Sequence, residues 1–168
     1  PTYKDSAFSS ISPTLPCNIS SYQRKVDIFQ QLTVLSGIES FDDTQHPVSI
    51  ANSWMTDEDL FEVCPGDVNL AQRYTLVLLY FYTSGDDWLT CTRDGTTPCQ
   101  DERFLSSGHE CTWGGVTCDS FNRVTKLNLG RSLINNLLSI FCVFRLSCFG
   151  SFANNNHSFF LVFQMKTI

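Results

Sequence analysis

Eight cysteines and three histidines are the residues of this chain with the widest chemical range. A thiolate beside a positioned imidazole would make a cysteine nucleophile, and His109 stands two positions before Cys111. That adjacency reads as loop composition, so no catalytic residue is assigned and an enzyme is not expected; a cysteine-dependent hydrolase is the remote alternative. Zinc would need clustered ligands such as paired Cys-x-x-Cys units. Seven residues separate Cys91 from Cys99 and six separate Cys111 from Cys118, with only His109 nearby, so no metal or other cofactor is expected. Asp57, Glu58, Asp59 and Glu62 could hold calcium weakly, but a solvated helix start accounts for them without a ligand. Asp86 and Asp87 read first as turn formers beside Trp88, and only distantly as an acid/base pair.

Composition narrows the setting. Hydrophobic residues make up 42% and charged residues 17% of 168 positions, which is ordinary for one globular domain. Eight cysteines are too few for a miniature disulfide scaffold and many for a protein kept reduced, so an oxidising compartment is expected, extracellular or at the cell surface. Asn18-Ile19-Ser20 is a sequon, which adds weak support and marks Asn18 for glycosylation. No secretory signal is visible at Pro1, and the start is read as internal to a longer product. The formal net charge is -6, and all 17 acidic residues lie at or before Asp119. An acidic body without a Lys/Arg cluster cannot neutralise phosphates, so nucleic acid is set aside as a partner.

The elements that would position these residues follow from period and punctuation. Residues 1–20, rich in Ser, Pro and Thr, read as a flexible arm or linker. Residues 21–66 read as a helical lead-in. Ser21 can cap a helix over 22–36 whose Val26, Ile28, Phe29, Leu32 and Leu35 recur at helical spacing up to Gly37. Pro47 opens a short helix carrying Ile50, Ala51, Trp54 and Met55. It is expected to end near Met55, because Asp57, Glu58 and Asp59 would oppose the dipole at a C-terminus and favour the start of a new turn. The strongest local signal is a helix over 69–84, with Asn69 as cap and Leu70, Tyr74, Val77, Leu78, Phe81 and Tyr82 as its apolar face. A stretch dense in Gly, Thr, Pro, Asp and Cys then runs to Gly115. Val116-Thr117-Cys118 and Val124 to Leu129 are β-prone runs joined by the turn former Asp119-Ser120-Phe121-Asn122.

The second run reads Val124-x-x-Leu127-x-Leu129-x-x-Ser132-x-Ile134, the leucine-rich-repeat template except for Ser where Asn or Cys is usual. Upstream stand, in order, a helix with Leu76, Leu78, Leu79, Tyr80 and Phe81, then Gly85-Asp86-Asp87-Trp88, then Glu110-Cys111-Thr112-Trp113-Gly114-Gly115-Val116-Thr117-Cys118. From Gln72 through Leu129 this resembles, part by part, the plant-type N-terminal cap of leucine-rich-repeat proteins, algal members included. The family pattern usually has a second Trp between these last two motifs; Phe104 stands in that place here.

The resemblance implies an α+β fold: N-terminal helices, a disulfide-closed β-hairpin cap over 67–122, and the first strand of a solenoid in a partial repeat over 123–139. A terminal repeat has no neighbour on one side, so something must cover its apolar edge. Tyr74, Val77, Leu78, Phe81, Trp88 and Trp113 are the expected cap core, and Val124, Leu127, Leu129 and Ile134 the repeat strand. Cys111 with Cys118 and Cys91 with Cys99 are spaced to close two short loops, each contributing on the order of 2–3 kcal/mol. Cys17 and Cys64 form a third candidate pair, while Cys142 and Cys148 are left unassigned.

The repeat does not continue. Residues 140–168 form an atypical Phe-rich tail with no acidic residue, read as a truncated or mispredicted end. Leu137 to Ala153 is apolar, but Arg145 at its middle would cost roughly 2.5–3.5 kcal/mol in a bilayer, so a membrane is expected only through tethering outside this chain or weakly through the tail. The functional expectation is a non-catalytic interaction module of a secreted or membrane-attached, receptor-like protein, binding a protein or glycan; the alternative is a structural cap with no binding of its own. Thr125, Lys126 and Asn128, alternating outward on the repeat strand, are the candidate contacts.

Overall fold

A computed structural model describes residues 17–36 and 43–129 together with the backbone of a two-residue strand at 160–161. Residues 1–16 of the expected arm, the stop at Gly37, Ile134, Cys142, Cys148 and the rest of the tail lie outside the described residues.

Helix α1 spans Ser21–Ser36. Its cap is Ser20, whose Oγ accepts from the Gln23 amide at 3.1 Å, one residue before the expected Ser21. The buried stripe is Arg24, Ile28 and Leu32, successive turns of one face. Phe29 and Leu35, expected inside, are exposed, and Arg24 takes the inner position an apolar period would pass over.

Helix α2 spans Pro47–Ser53 and runs directly into a wide turn, Trp54–Glu58, with i→i+5 bonding. His46 caps it through Nδ1, which accepts from the Val48 amide at 3.3 Å. The helical path therefore continues past Met55 and carries Asp57 and Glu58 in its last turn, against the expectation that the acids open a new one. Cations and donors compensate the dipole there. Lys25 pairs with Asp57. The buried Arg24 guanidinium donates to the carbonyls of Val63 at 3.0 Å, Met55 at 3.4 Å and Thr56 at 3.5 Å.

Helix α3 spans Leu70–Tyr82. Asn69 makes no side-chain cap bond; Asp67 starts the helix instead, its Oδ1 accepting from the Asn69 amide at 2.7 Å and its carbonyl from the Leu70 amide at 3.1 Å. The helix is buried almost all round: Gln72, Arg73, Leu76, Leu79 and Tyr80 are inside along with Leu70, Tyr74, Val77 and Leu78. Phe81 and Tyr82, expected on the inner face, are only partly buried. Ser84, at φ 52°, ends the helix in the left-handed region.

Strands β1, Val116–Cys118, and β2, Val124–Asn128, pair antiparallel with Val116 opposite Leu127 and an irregularity between Thr117 and Cys118. On the outer edge of β2 lies β3, Phe160–Leu161, antiparallel with Leu161 opposite Leu127. The architecture is α+β: three helices packed beside a small antiparallel sheet. One core runs from Ile28 and Leu32 through Trp54, Met55 and Leu76 to Val124, Leu127 and Leu129, without a break at residue 66.

Candidate functional site

Six of the cysteines are paired. Cys111–Cys118 closes the hairpin, Cys91–Cys99 closes the loop after α3, and Cys17–Cys64 ties the start of α1 to the segment after α2. Three bridges mark a chain that matures in an oxidising, extracellular-type environment. Cys111 holds its sulfur in a bridge, so it presents no thiolate to His109, whose Nδ1 instead accepts the Cys111 amide at 3.1 Å. Among the described residues no three His, Cys, Asp or Glu side chains group as a metal site would need, and no helix is long and apolar enough to cross a membrane.

The centre of the molecule is a buried charge that the apolar period passes over. Arg73 is fully buried and forks onto Asp59, Nε to Oδ2 at 2.9 Å and Nη2 to Oδ1 at 2.6 Å. Its Nη1 reaches Glu110 Oε2 at 3.4 Å and the Gly108 carbonyl at 3.0 Å. Its guanidinium lies 4.7 Å from the ring centroids of both Phe61 and Trp113. Gln72, beside it, accepts from the Val124 amide at 2.7 Å and donates to Glu110 Oε1 at 2.8 Å and the Asn122 carbonyl at 2.9 Å. Together these residues weld the lead-in, α3 and the hairpin. Asp59, expected in a solvated helix start, is therefore a buried ion-pair partner. The signal that could have found Arg73 is its isolation, since it is the sole charged residue of the mostly apolar α3.

Around it packs an aromatic chain: Tyr80 to Trp88 at 5.0 Å, Trp88 to Phe104 at 4.8 Å, Phe104 to Trp113 at 5.3 Å and Trp113 to Trp54 at 6.4 Å between centroids. Phe104 thus sits between the two tryptophans that flank it in sequence. The Tyr80 hydroxyl donates to Asp86 at 2.7 Å and accepts from the Arg93 amide at 3.1 Å, so Asp86 serves as a tie. Burial pushes the Tyr80 phenol up, and it pushes Tyr74 up to about 12, with a bond to Ser36 Oγ working the other way. On the surface, hydrogen bonds from Lys25 and Thr56 hold the Asp57 carboxyl below its usual range.

Val124 and Leu127, with Leu129 beyond the strand, face the core, while Thr125, Lys126 and Asn128 are exposed. Asn18 is exposed beside the Cys17 bridge, with φ 54°. Comparison with known protein families, curated proteins and solved structures returns no match. The described residues form a disulfide-stapled α+β domain in which β2 buries Val124 and Leu127 and exposes Thr125, Lys126 and Asn128.

Proposed function

We propose that this chain is the N-terminal cap of an extracellular or membrane-attached leucine-rich-repeat protein, a non-catalytic module that takes part in binding a protein or glycan. The observation that carries the reading is the position of β2 between two surfaces. Its inner side, Val124 and Leu127, is buried in the same core as the α3 residues and the tryptophans, in keeping with a covered solenoid end. Its outer side offers Thr125, Lys126 and Asn128, where a repeat protein makes its contacts. The Cys111–Cys118 bridge braces the strand beside it, and the other bridges suit an exported chain. In the reading proposed, the edge of β2 that β3 holds here is the edge a following repeat strand would take.

Fusing four consensus leucine-rich repeats in frame after Leu129 tests the cap directly. The expected product is a soluble monomer that unfolds in one transition at a higher temperature than the repeats alone. Aggregation, or two independent transitions, would sink the cap reading. Binding is tested separately, by screening the full chain against immobilised extracellular proteins and glycans and repeating any hit with Thr125, Lys126 and Asn128 all changed to Glu. Loss of binding with intact folding supports the module; a fused solenoid that folds while no hit depends on these residues leaves a purely structural cap.

A further inference from the structure

Strand β2 is the middle of the sheet, and its outer edge is held by two residues of the same chain. The Asn128 amide donates to the Gly115 carbonyl, on the β1 side, at 2.7 Å. Backbone groups of successive strand residues point to alternate sides, so the Leu127 N–H and C=O turn the other way, where Leu161 of β3 stands opposite. Left open, that edge would present unpaired donors and acceptors to any other strand. The devices that ordinarily blunt an edge are sparse on β2: Val124–Asn128 holds no Pro, and Lys126 is its one charge.

The direction and register of β3 identify the strand it keeps out. Repeats stacked by translation would lay their strands parallel to β2, whereas β3 runs antiparallel to it. Antiparallel is the direction a twofold-related copy of β2 must take when it meets its own edge. Centred on Leu127, such a pairing sets Leu127 against Leu127 of the copy, where β3 sets Leu161, and it sets Lys126 against Asn128 of the copy, so like charges never face each other. A copy would bring five strand residues against the two of β3. The shorter strand prevails because it is tethered to the same chain, which gives it an effective concentration on the order of millimolar. We propose that β3 is a built-in shield over the outer edge of β2, and that the strand it excludes is β2 of a second copy of this chain. The proposal needs only the sheet and stands whether or not the cap reading does.

Two proline variants of the full-length, disulfide-bonded chain test it. Leu161 faces Leu127 through its hydrogen-bonding side, so Leu161→Pro removes a donor to β2. The Phe160 amide, by the same alternation, points away from β2, and proline is tolerated at such an edge position. Light scattering after size exclusion should show wild type and Phe160→Pro as monomers and Leu161→Pro as a dimer. Isotope-filtered NMR on mixed labelled and unlabelled Leu161→Pro should connect Leu127 of one copy with Leu127 of the other. Diluted to monomer, Leu161→Pro should exchange its Leu127 amide hydrogen at least tenfold faster than wild type. Should Leu161→Pro not fold, Gly-Gly in place of 160–161 must give the same dimer. A Leu161→Pro that stays monomeric, or a Leu127 amide that exchanges as fast in wild type as in the variant, overturns the proposal. Dimers formed as readily by wild type or Phe160→Pro, or contacts between copies that avoid Leu127, overturn it equally.

Discussion

Arg73 illustrates how one side chain can hold several segments in register. Its five N–H donors meet Asp59, Glu110 and two backbone carbonyls, and its flat faces meet Phe61 and Trp113. Removing the charge alone strands two buried carboxylates, so Arg73→Met is expected to cost about 3–5 kcal/mol, read as a lower urea midpoint. Restoring neutrality in the triple variant Arg73→Met, Asp59→Asn, Glu110→Gln should recover much of that loss; no recovery would mean the stacking, not the charge, is what matters. Gly115 makes a second residue-scale case. It sits at φ +85°, and a Cβ there would run into the Asn128 carbonyl, the group beside the bond from the Asn128 amide to Gly115 O at 2.7 Å. Gly115→Ala therefore combines a left-handed backbone with a clash, and a loss of more than about 1 kcal/mol is expected, with hairpin amide protection falling first. The sequence marked Arg73 only by its isolation in α3 and gave no sign of its partners or of the Gly115 contact. An apolar period marks polar residues as outward, and the partners of Arg73 lie 14 and 37 positions away.

Elements were more legible, because their signals are local. The α3 period, the turn before β2 and the β-prone runs each sit within a span of 13 residues, and the helices and hairpin lie close to where those patterns put them. What local pattern misread was the end of α2. Three consecutive acids look wrong for a helix C-terminus until Arg24 and Lys25 arrive from α1, more than 30 positions earlier in the chain. The same long-range logic ranks the bridges. In the chain-entropy picture, stabilisation grows with the loop closed, so Cys17–Cys64, with a separation of 47, contributes about 4 kcal/mol. Cys111–Cys118, with a separation of 7, contributes about 2.5 kcal/mol. Paired Cys→Ser variants measured by guanidinium unfolding should keep this order, with Cys17→Ser/Cys64→Ser the weaker protein. The reverse order would show that the hairpin bridge is held in place chiefly by the native packing around it.

At the scale of the whole molecule, the question is whether the helical first half and the half with α3 and the hairpin melt as one. The shared core says they do, and Tyr74 offers a way to watch it. This residue joins the two halves: its ring is buried in α3 and its hydroxyl lies 2.6 Å from Ser36 Oγ at the end of α1. Burial lifts its phenol from the ordinary 10 to about 12, and Tyr80 moves in the same direction. The native state thus favours the protonated phenol, while the unfolded chain releases that proton near pH 10. Between pH 10 and 12 the unfolded state binds fewer protons, so stability falls as pH rises; below 10 the contribution is fully present. For Tyr74 alone the change is on the order of 2 kcal/mol. Rapid pH-jump absorbance at 295 nm, finished before hydroxide attacks the disulfides, should show buried tyrosines ionising in step with the loss of helical circular dichroism. Tyr74→Phe keeps the ring without the ionisable hydroxyl and should flatten the pH dependence in that window. If Tyr74 instead ionises while the helices stay native, or if α1 and the hairpin are lost at different pH values, the two halves are not one cooperative unit and α1 folds apart from the hairpin.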